Sequence, residues 1–157
     1  MENNDIEIQD IIRKLRLIFK TTQAHSKYVE KECGLSGAQL WMLYEVSVTL
    51  GVRVSQLAKT LSVHPSTCSN MLDKLEEKGL VYRDRSKKDQ RSVHLYVTDA
   101  GTELLTKAPS PPQGKLTEAL DDLTDEQLLV LNGSLANLVE TLNISDRKAS
   151  FTPISGG

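Results

Sequence analysis

Five polar side chains lie close together in one short segment, PSTCSNMLDKLEEKG at positions 65–79. They carry hydroxyl, amide and ammonium groups, which hydrogen-bond to base edges or bind phosphate oxygens: Ser66, Thr67, Ser69, Asn70 and Lys74. The side-chain amide of Asn70 is the group that pairs in bidentate fashion with adenine. If the segment is a helix, these residue types predict a surface that binds nucleic acid.

The same segment has the spacing of an amphipathic helix. Its apolar residues recur at intervals of three and four, which places them on one face: Cys68, Met71, Leu72 and Leu75. Pro65 suits the first helical position, and Gly79 suits the left-handed residue that ends a helix. Such a helix presents free N–H groups and short polar side chains to a major groove. The alternative interpretation is an ordinary amphipathic surface helix.

The flanking sequence favours the nucleic-acid interpretation. Upstream, a short helix is predicted with Leu57, Ala58 and Leu61 inward, followed by a tight turn through Ser62 and Val63, as in a helix-turn-helix. Downstream, two β-rich runs at 80–85 and 92–98 predict a hairpin. A helix-turn-helix followed by a hairpin is a winged helix, and the hairpin is its wing.

Positive charge is concentrated in this part of the chain. Residues 83–91 contain five basic and two acidic side chains, and residues 53–99 carry a net charge of +3. Residues 1–52 and 100–157 carry −1 and −4, which gives the whole chain −2 and a pI of about 5.9. A local patch, and not the pI of the whole chain, determines the attraction for phosphate. The acidic pI therefore does not exclude DNA binding.

The motifs LAKTL, HPSTCSNMLDKLEEKGLV and RDRSKKDQRSVHLYVTDAG make the chain similar to the MarR (multiple antibiotic resistance regulator) family between about Ser36 and Gly101. The resemblance implies a homodimeric transcriptional regulator with a winged helix-turn-helix. In that family, the recognition helices occupy successive major grooves of double-stranded DNA, and the wing tips reach the minor groove. Two-fold symmetry then predicts a pseudo-palindromic operator.

The family's wing motif, Asp-x-Arg, is present as Asp89-Gln90-Arg91. The resemblance implies that Arg91 enters the minor groove and that Asp89 holds its guanidinium in place. Lys87 and Lys88 are expected to bind phosphate, and Arg85 completes the predicted DNA-binding set.

Two positions differ from the usual family pattern. Asn70 is shorter than the basic or amide side chain that many members have at its position. His64 replaces a small hydroxyl residue at the predicted helix cap, and we interpret it as a turn residue.

The two ends of the chain predict a helical region that joins two copies. A long first helix is expected from about Asp5 to Lys31, with a broad apolar face that includes Ile11 and Leu15. The last helix has leucines at alternating intervals of three and four over two heptads: Leu128, Leu131, Leu135, Leu138 and Leu142. These patterns and the resemblance predict a dimerisation domain. The alternative is an intramolecular helix pair in a monomer.

The predicted fold class is therefore mainly α-helical with a small β-hairpin wing, consisting of a winged helix-turn-helix domain and a helical dimerisation region built from both chain termini. We expect an N-terminal dimerisation helix at 1–34, the DNA-binding domain at 35–100, C-terminal dimerisation helices at 101–144 and a flexible tail at 145–157. The sequence APSPP at 108–112 predicts a break between about 108 and 113, because proline cannot continue a helix. Capping boxes at Ser36 and Thr124 predict two helix starts.

Composition and the lack of certain motifs argue against a membrane protein, a metal-binding protein and an enzyme. A chain of 157 residues, 39% apolar and 25% charged, suits one compact domain with helical extensions. The acidic N-terminus and the lack of a run of ~20 apolar residues predict a cytoplasmic protein. Cys33 and Cys68 have no Cys-x-x-Cys spacing, so we expect neither a disulfide framework nor a metal site. No cofactor is expected, and no phosphate-binding glycine loop or catalytic motif suggests an enzyme.

The resemblance implies that the function is that of a repressor released by a small-molecule effector. The resemblance implies aromatic or phenolic ligands in the crevice between the helical region and the winged domain. We interpret Trp41 as a packing residue and not as a ligand-stacking one. Two alternatives stay open: a winged helix that binds protein, and a redox-responsive regulator that uses Cys33. Cys68 is assigned to the core, where thiols are usually inert.

Overall fold

The computed structural model describes residues 2–85, 93–142 and 152–154. In that part, the chain forms seven helices and two strands: α1 (Glu2–Cys33), α2 (Gly37–Val48), α3 (Val54–Leu61), α4 (Pro65–Glu77), β1 (Val81–Arg85), β2 (Val93–Val97), α5 (Asp99–Lys107), α6 (Lys115–Asp121) and α7 (Asp125–Thr141). The two strands pair in antiparallel fashion. The predicted fold class is confirmed.

Local capping sets several helix boundaries. At the start of α2, the Ser36 hydroxyl accepts from the N–H of Gln39, and the Gln39 side chain accepts from the N–H of Ser36. Thr124 and Gln127 make the same reciprocal pair at the start of α7. Both capping boxes are as predicted, because they depend on residues only three positions apart. Helix α1 is longer than predicted by a few residues at each end.

The core lies within the winged domain and is built mainly from α2, α3, α4 and the hairpin. Its fully buried side chains are mostly leucines: Leu40, Leu43, Leu57, Leu72, Leu75 and Leu95. Strand β2 is held on its second side by residue Val52, whose carbonyl accepts from the N–H of Leu95 at 2.9 Å. The hairpin is thus attached to the α2–α3 connection as well as to α4.

Helix α5 packs closely on the base of the hairpin. A Cβ added at Gly101 would lie 2.3 Å from the Leu80 carbonyl oxygen and 2.6 Å from a Val97 methyl carbon. No side chain fits there, so glycine is required for the contact. Thr98 caps α5, because its hydroxyl accepts from the N–H of Gly101. Helix α5 ends at Lys107 and α6 begins at Lys115, which confirms the predicted break at the prolines.

The terminal helices leave large apolar side chains exposed. In α1 these include Ile8, Ile11, Ile12, Ile18 and Phe19, and in α7 and at its C-cap Leu135, Leu138 and Leu142. Helix α6 packs against α1, whereas α7 has no buried residue and no extensive contact with another described helix. None of the helices in the described ranges is long and apolar enough to cross a lipid bilayer.

Candidate nucleic-acid interface

Helix α4 is fixed by its apolar face. Cys68, Met71, Leu72 and Leu75 are all at most 3% exposed, as the spacing predicted. The preceding helix α3 buries Leu57, Ala58 and Leu61 and ends at Ser62, which has the left-handed φ of 53°. The two helices therefore form the predicted helix-turn-helix, and the buried apolar face of α4 packs it against the rest of the domain.

The N-terminus of α4 is capped by a histidine. The Nδ1 atom of His64 accepts from the N–H of Ser66 at 3.2 Å and lies 2.7 Å from the Ser66 hydroxyl oxygen. His64 is thus the N-cap residue, a role beyond the turn residue predicted from the sequence. The Ser66 hydroxyl is consequently engaged in the cap in the absence of DNA.

The outer face of α4 carries the other predicted contact residues. Ser66, Asn70 and Lys74 are exposed, whereas Thr67 and Ser69 are half-buried. All five lie in the first ten residues of the helix, within three turns. This arrangement places one amide, one ammonium and three hydroxyl groups along the part of the helix that begins at Pro65.

Arg83 connects the wing to α4 through an ion-pair network. Its Nη1 atom lies 2.8 Å from Asp73 Oδ1 and 2.7 Å from Glu76 Oε2, and its side chain is only 16% exposed. Burial opposes the charged form, but the hydrogen bonds that the guanidinium donates to the two carboxylates outweigh it and raise the pKa of Arg83. Arg83, one of the five basic residues at 83–91, is therefore paired with carboxylates of α4. Its partners are distant in sequence, and only the packing of β1 on α4 reveals them.

Strands β1 and β2 form the described part of the wing. Arg83 pairs with Leu95, and Arg85 pairs with Val93 at the end of the described strands. Tyr82 and Tyr96 stack across the hairpin with ring centroids 5.4 Å apart. Arg85 is exposed, as its predicted DNA-binding role requires. The predicted contacts of Lys87, Lys88, Asp89 and Arg91 fall in 86–92 and lie outside the described residues.

None of the predicted dimerisation residues is buried within the single chain. Ile11, Leu135, Leu138 and Leu142 are between 40% and 61% exposed. Leu15, Leu128 and Leu131 are half-buried. Leu128, Leu131 and Leu135 also line an open apolar groove together with Leu120 of α6. Within one chain, this surface is only partly covered.

A cavity of about 230 Å³ lies between the helical region and the helix-turn-helix. Its wall includes Thr22 and His25 of α1, Trp41 of α2, Met71 of α4 and Lys115 of α6. Trp41 is half-buried and donates through Nε1 to the Glu45 carboxylate at 3.1 Å, so it contributes to packing and also faces the cavity.

His25 lies in the cavity wall, a position that the sequence alone did not predict. The side chain is 8% exposed, and its buried Nε2 atom has no hydrogen-bond partner among the described residues. Burial lowers the pKa of His25, and the charge of Lys115 lowers it further, while the Pro111 carbonyl opposes the shift. The spacing in the sequence does place His25 on the inward face of α1, because it lies three residues after Thr22 and four before Val29.

Neither cysteine has the environment of a reactive thiol. Cys68 is fully buried, and burial raises the pKa of its thiol to about 11. Burial also raises the pKa of Cys33, whose thiol donates to the Val29 carbonyl at 3.0 Å. Thiolate formation is disfavoured at both positions. Among the described residues, no cluster of histidine, cysteine and carboxylate side chains is suited to hold a metal ion.

The chain is similar to known transcriptional regulators. Residues 35–93 match the MarR family. The HTH-type transcriptional repressor MdtR of Bacillus subtilis (strain 168) is 28% identical over 144 residues, covering 90% of this chain and 93% of that protein. The organic hydroperoxide resistance transcriptional regulator of the same organism is 34% identical over 90 residues, covering 57% of this chain and 60% of that protein.

Solved structures share the fold. Streptococcus pneumoniae FabT in complex with DNA has a TM-score of 0.56 and 26% identity, covering 87% of this chain and 97% of that chain. Sco3205 of Streptomyces coelicolor in complex with DNA has a TM-score of 0.61 and 23% identity, covering 90% of this chain and 94% of that chain. The resemblance seen in the sequence motifs is confirmed: residues 35–93 match the MarR family, and the relatives that the chain resembles are transcriptional regulators and not enzymes.

Proposed function

We propose that the protein is a homodimeric repressor that binds a pseudo-palindromic operator and is released by a small-molecule effector. The observation that carries this proposal is that one chain has two exposed surfaces of different chemistry, one polar and one apolar. The outer face of α4 lies beside the wing, and the apolar faces of α1 and α7 are left uncovered by their own chain.

The DNA contacts are assigned by surface and chemistry. Asn70 is our candidate for base recognition, because it is exposed and carries the bidentate amide. Ser66, Thr67, Ser69 and Lys74 are assigned to nearby base or phosphate contacts, and Arg85 to the wing. Lys87, Lys88, Asp89 and Arg91 are assigned from the sequence motif alone, with Arg91 in the minor groove.

Dimerisation is assigned to the two ends of the chain. Helix α7 has a heptad seam yet buries none of its residues in the single chain, and α1 exposes a run of isoleucines. Burying a leucine or isoleucine side chain contributes about 1.5–3 kcal/mol, so covering this surface with a second copy favours association. The segments 1–34 and 101–144 therefore form the proposed dimerisation region around the DNA-binding domain at 35–100. The tail proposed for 145–157 lies outside the described residues, except for 152–154.

Repression and effector release are the finer parts of the proposal. A relative that aligns with nearly the whole chain is named a transcriptional repressor. The cavity beside Trp41 touches α1 and α6 as well as α4, so a small aromatic or phenolic ligand there would contact the helical region and the recognition helix together. The redox alternative at Cys33 is less well supported, because burial raises the pKa of that thiol.

The wing assignment is tested by two variants with different expected signatures. Arg91→Ala should weaken operator binding by about 1–3 kcal/mol and reduce the preference for A·T pairs at the wing position, because Arg in a narrow minor groove recognises shape. Lys87→Ala should weaken binding to all sequences alike and reduce the slope of log affinity against log salt by about one. Gel-shift titrations at several salt concentrations measure both effects.

The same titrations distinguish DNA binding from the alternative of a protein-binding winged helix. Wild-type protein that binds no duplex, even at low salt, would favour that alternative. Equal operator affinities of the wild type and Arg91→Ala would remove the wing from the proposed interface.

A further inference from the structure

A short piece of the C-terminal segment forms part of the cavity wall. Thr152, Pro153 and Ile154 line the cavity together with His25 and Trp41. Their burial alternates, since Pro153 is half-buried while Thr152 and Ile154 are exposed, the latter by 61%. Pro153 is therefore the least exposed of the three residues.

We propose that residues 152–154 are a built-in lid, which closes the cavity and controls the entry of small apolar molecules. Proline suits the inward position, because its ring fixes φ and leaves less backbone entropy to lose when the segment docks. The lid completes a wall whose other parts come from α1, α2, the α3–α4 turn, α4 and α6. It therefore contacts a site shared by the helical region and the helix-turn-helix.

The size and lining of the cavity define what the lid admits. A volume of about 230 Å³ is below the range of drug-sized pockets, roughly 300–1,000 Å³. It is above the ~150 Å³ at which an engineered apolar cavity accommodates benzene. The wall includes Trp41, Leu61 and Met71, and Lys115 is the one lysine among the described residues that form it. The lid thus covers a space suited to an uncharged compound with a single ring.

The chain contains one tryptophan, and that residue is Trp41 in the cavity wall. Its fluorescence therefore reports on the cavity in the full-length protein without a label. Acrylamide quenching measures how freely a small solute reaches the indole, and toluene is a suitable uncharged probe of entry and exit. Neither measurement requires DNA, so a negative result for the lid leaves the proposed operator binding untouched.

The test compares Pro153→Asp and Ile154→Asp with Leu50→Asp as the matched control. The first two place a carboxylate on the lid, whereas Leu50 is 86% exposed and does not line the cavity. If the lid is correct, both lid variants should raise the quenching constant of Trp41 about twofold or more, as expected when a local closure is lost. They should also release toluene about tenfold faster, while Leu50→Asp behaves like the wild type.

Circular dichroism shows whether each variant keeps the wild-type helix content, and Ile154→Asp gives a second, more exposed substitution if Pro153→Asp fails to fold. Two outcomes would overturn the proposal that residues 152–154 are a lid. The first is that neither lid variant changes the quenching constant or the toluene release rate. The second is that Leu50→Asp raises both quantities as much as the lid variants, which would indicate general loosening of the chain.

Discussion

Single residues with buried or bridging side chains hold the interface in place. Arg83 is shared between Asp73 and Glu76 and also lies 3.4 Å from the Ser69 carbonyl oxygen, so one guanidinium contacts three positions along α4. His64 caps the same helix at its first turn. These side chains orient the proposed DNA-binding surface, in which the exposed Asn70 and Arg85 are proposed contacts.

Substitutions at Arg83 and Arg85 should affect different quantities, the first the free energy of unfolding and the second the affinity for DNA. Arg83→Met removes a mostly buried cation and leaves Asp73 and Glu76 as neighbouring like charges. We expect a loss of about 1–3 kcal/mol in the free energy of unfolding. Arg85→Met, on the exposed end of β1, should change stability by less than about 0.5 kcal/mol and weaken DNA binding instead. Urea unfolding and gel shifts on both variants measure this, and equal stability losses would contradict the bridging role of Arg83.

His25 should make stability depend on pH. Because its folded-state pKa is lowered below the ordinary value of about 6.5, the unfolded chain binds more protons as the pH falls. Its contribution is therefore fully present above about pH 6.5 and is lost as the pH falls toward the folded pKa. Urea unfolding of the wild type and His25→Gln between pH 8 and pH 5 tests this. The wild type should lose more stability than the variant on acidification, and parallel curves would contradict the assignment.

At the scale of helices and strands, the sequence predicted the elements well because their signals are local. Capping boxes at Ser36 and Thr124, the proline break and the apolar spacing of α4 all depend on residues a few positions apart. What the sequence did not reveal depends on contacts between elements. The Arg83 bridge needs β1 packed on α4, and the cavity at His25 needs α1 placed beside α6. The same holds for the C-terminal residues in the cavity wall, which have no periodic pattern.

Gly101 provides an element-scale test of the junction between the hairpin and α5. Gly101→Ala would place a Cβ against the Leu80 carbonyl, so we expect a loss of about 1–3 kcal/mol from overpacking. The matched control is Gly133→Ala in α7, where an added Cβ meets nothing within 4 Å. That change should stabilise the helix by about 0.5–1 kcal/mol. Thermal unfolding of both variants measures the difference, and a neutral Gly101→Ala would contradict the close packing.

The whole molecule consists of a well-packed winged domain carried by helices that are incompletely covered. Buried leucines are concentrated between α2 and β2, whereas exposed apolar side chains are concentrated in α1 and α7. Such an uneven distribution is typical of a subunit whose remaining core forms on association. Two-fold symmetry would then place the two α4 helices in matching orientation on one duplex.

A matched pair of substitutions in α7 tests the dimer. Leu135→Asp places a carboxylate in the heptad seam, and symmetry repeats the change in both copies. We expect a loss of about 3 kcal/mol or more, which is at least 100-fold in the dimer dissociation constant. Leu129→Asp lies outside the seam and is 74% exposed, so it should leave the dimer intact. Sedimentation equilibrium at micromolar concentration measures both, and dissociation by both variants or by neither would contradict the seam.

The proposal that two copies bind one inverted repeat is tested by selecting binding sites from a random duplex library and measuring the mass of the protein–DNA complex on those sites. The proposed homodimer predicts that the selected sites are inverted repeats with half-site centres about 10 bp apart. It also predicts that sedimentation finds two 17.4 kDa chains on each site. Selection of unrepeated sequences occupied by one chain, or no enrichment at all, would contradict it.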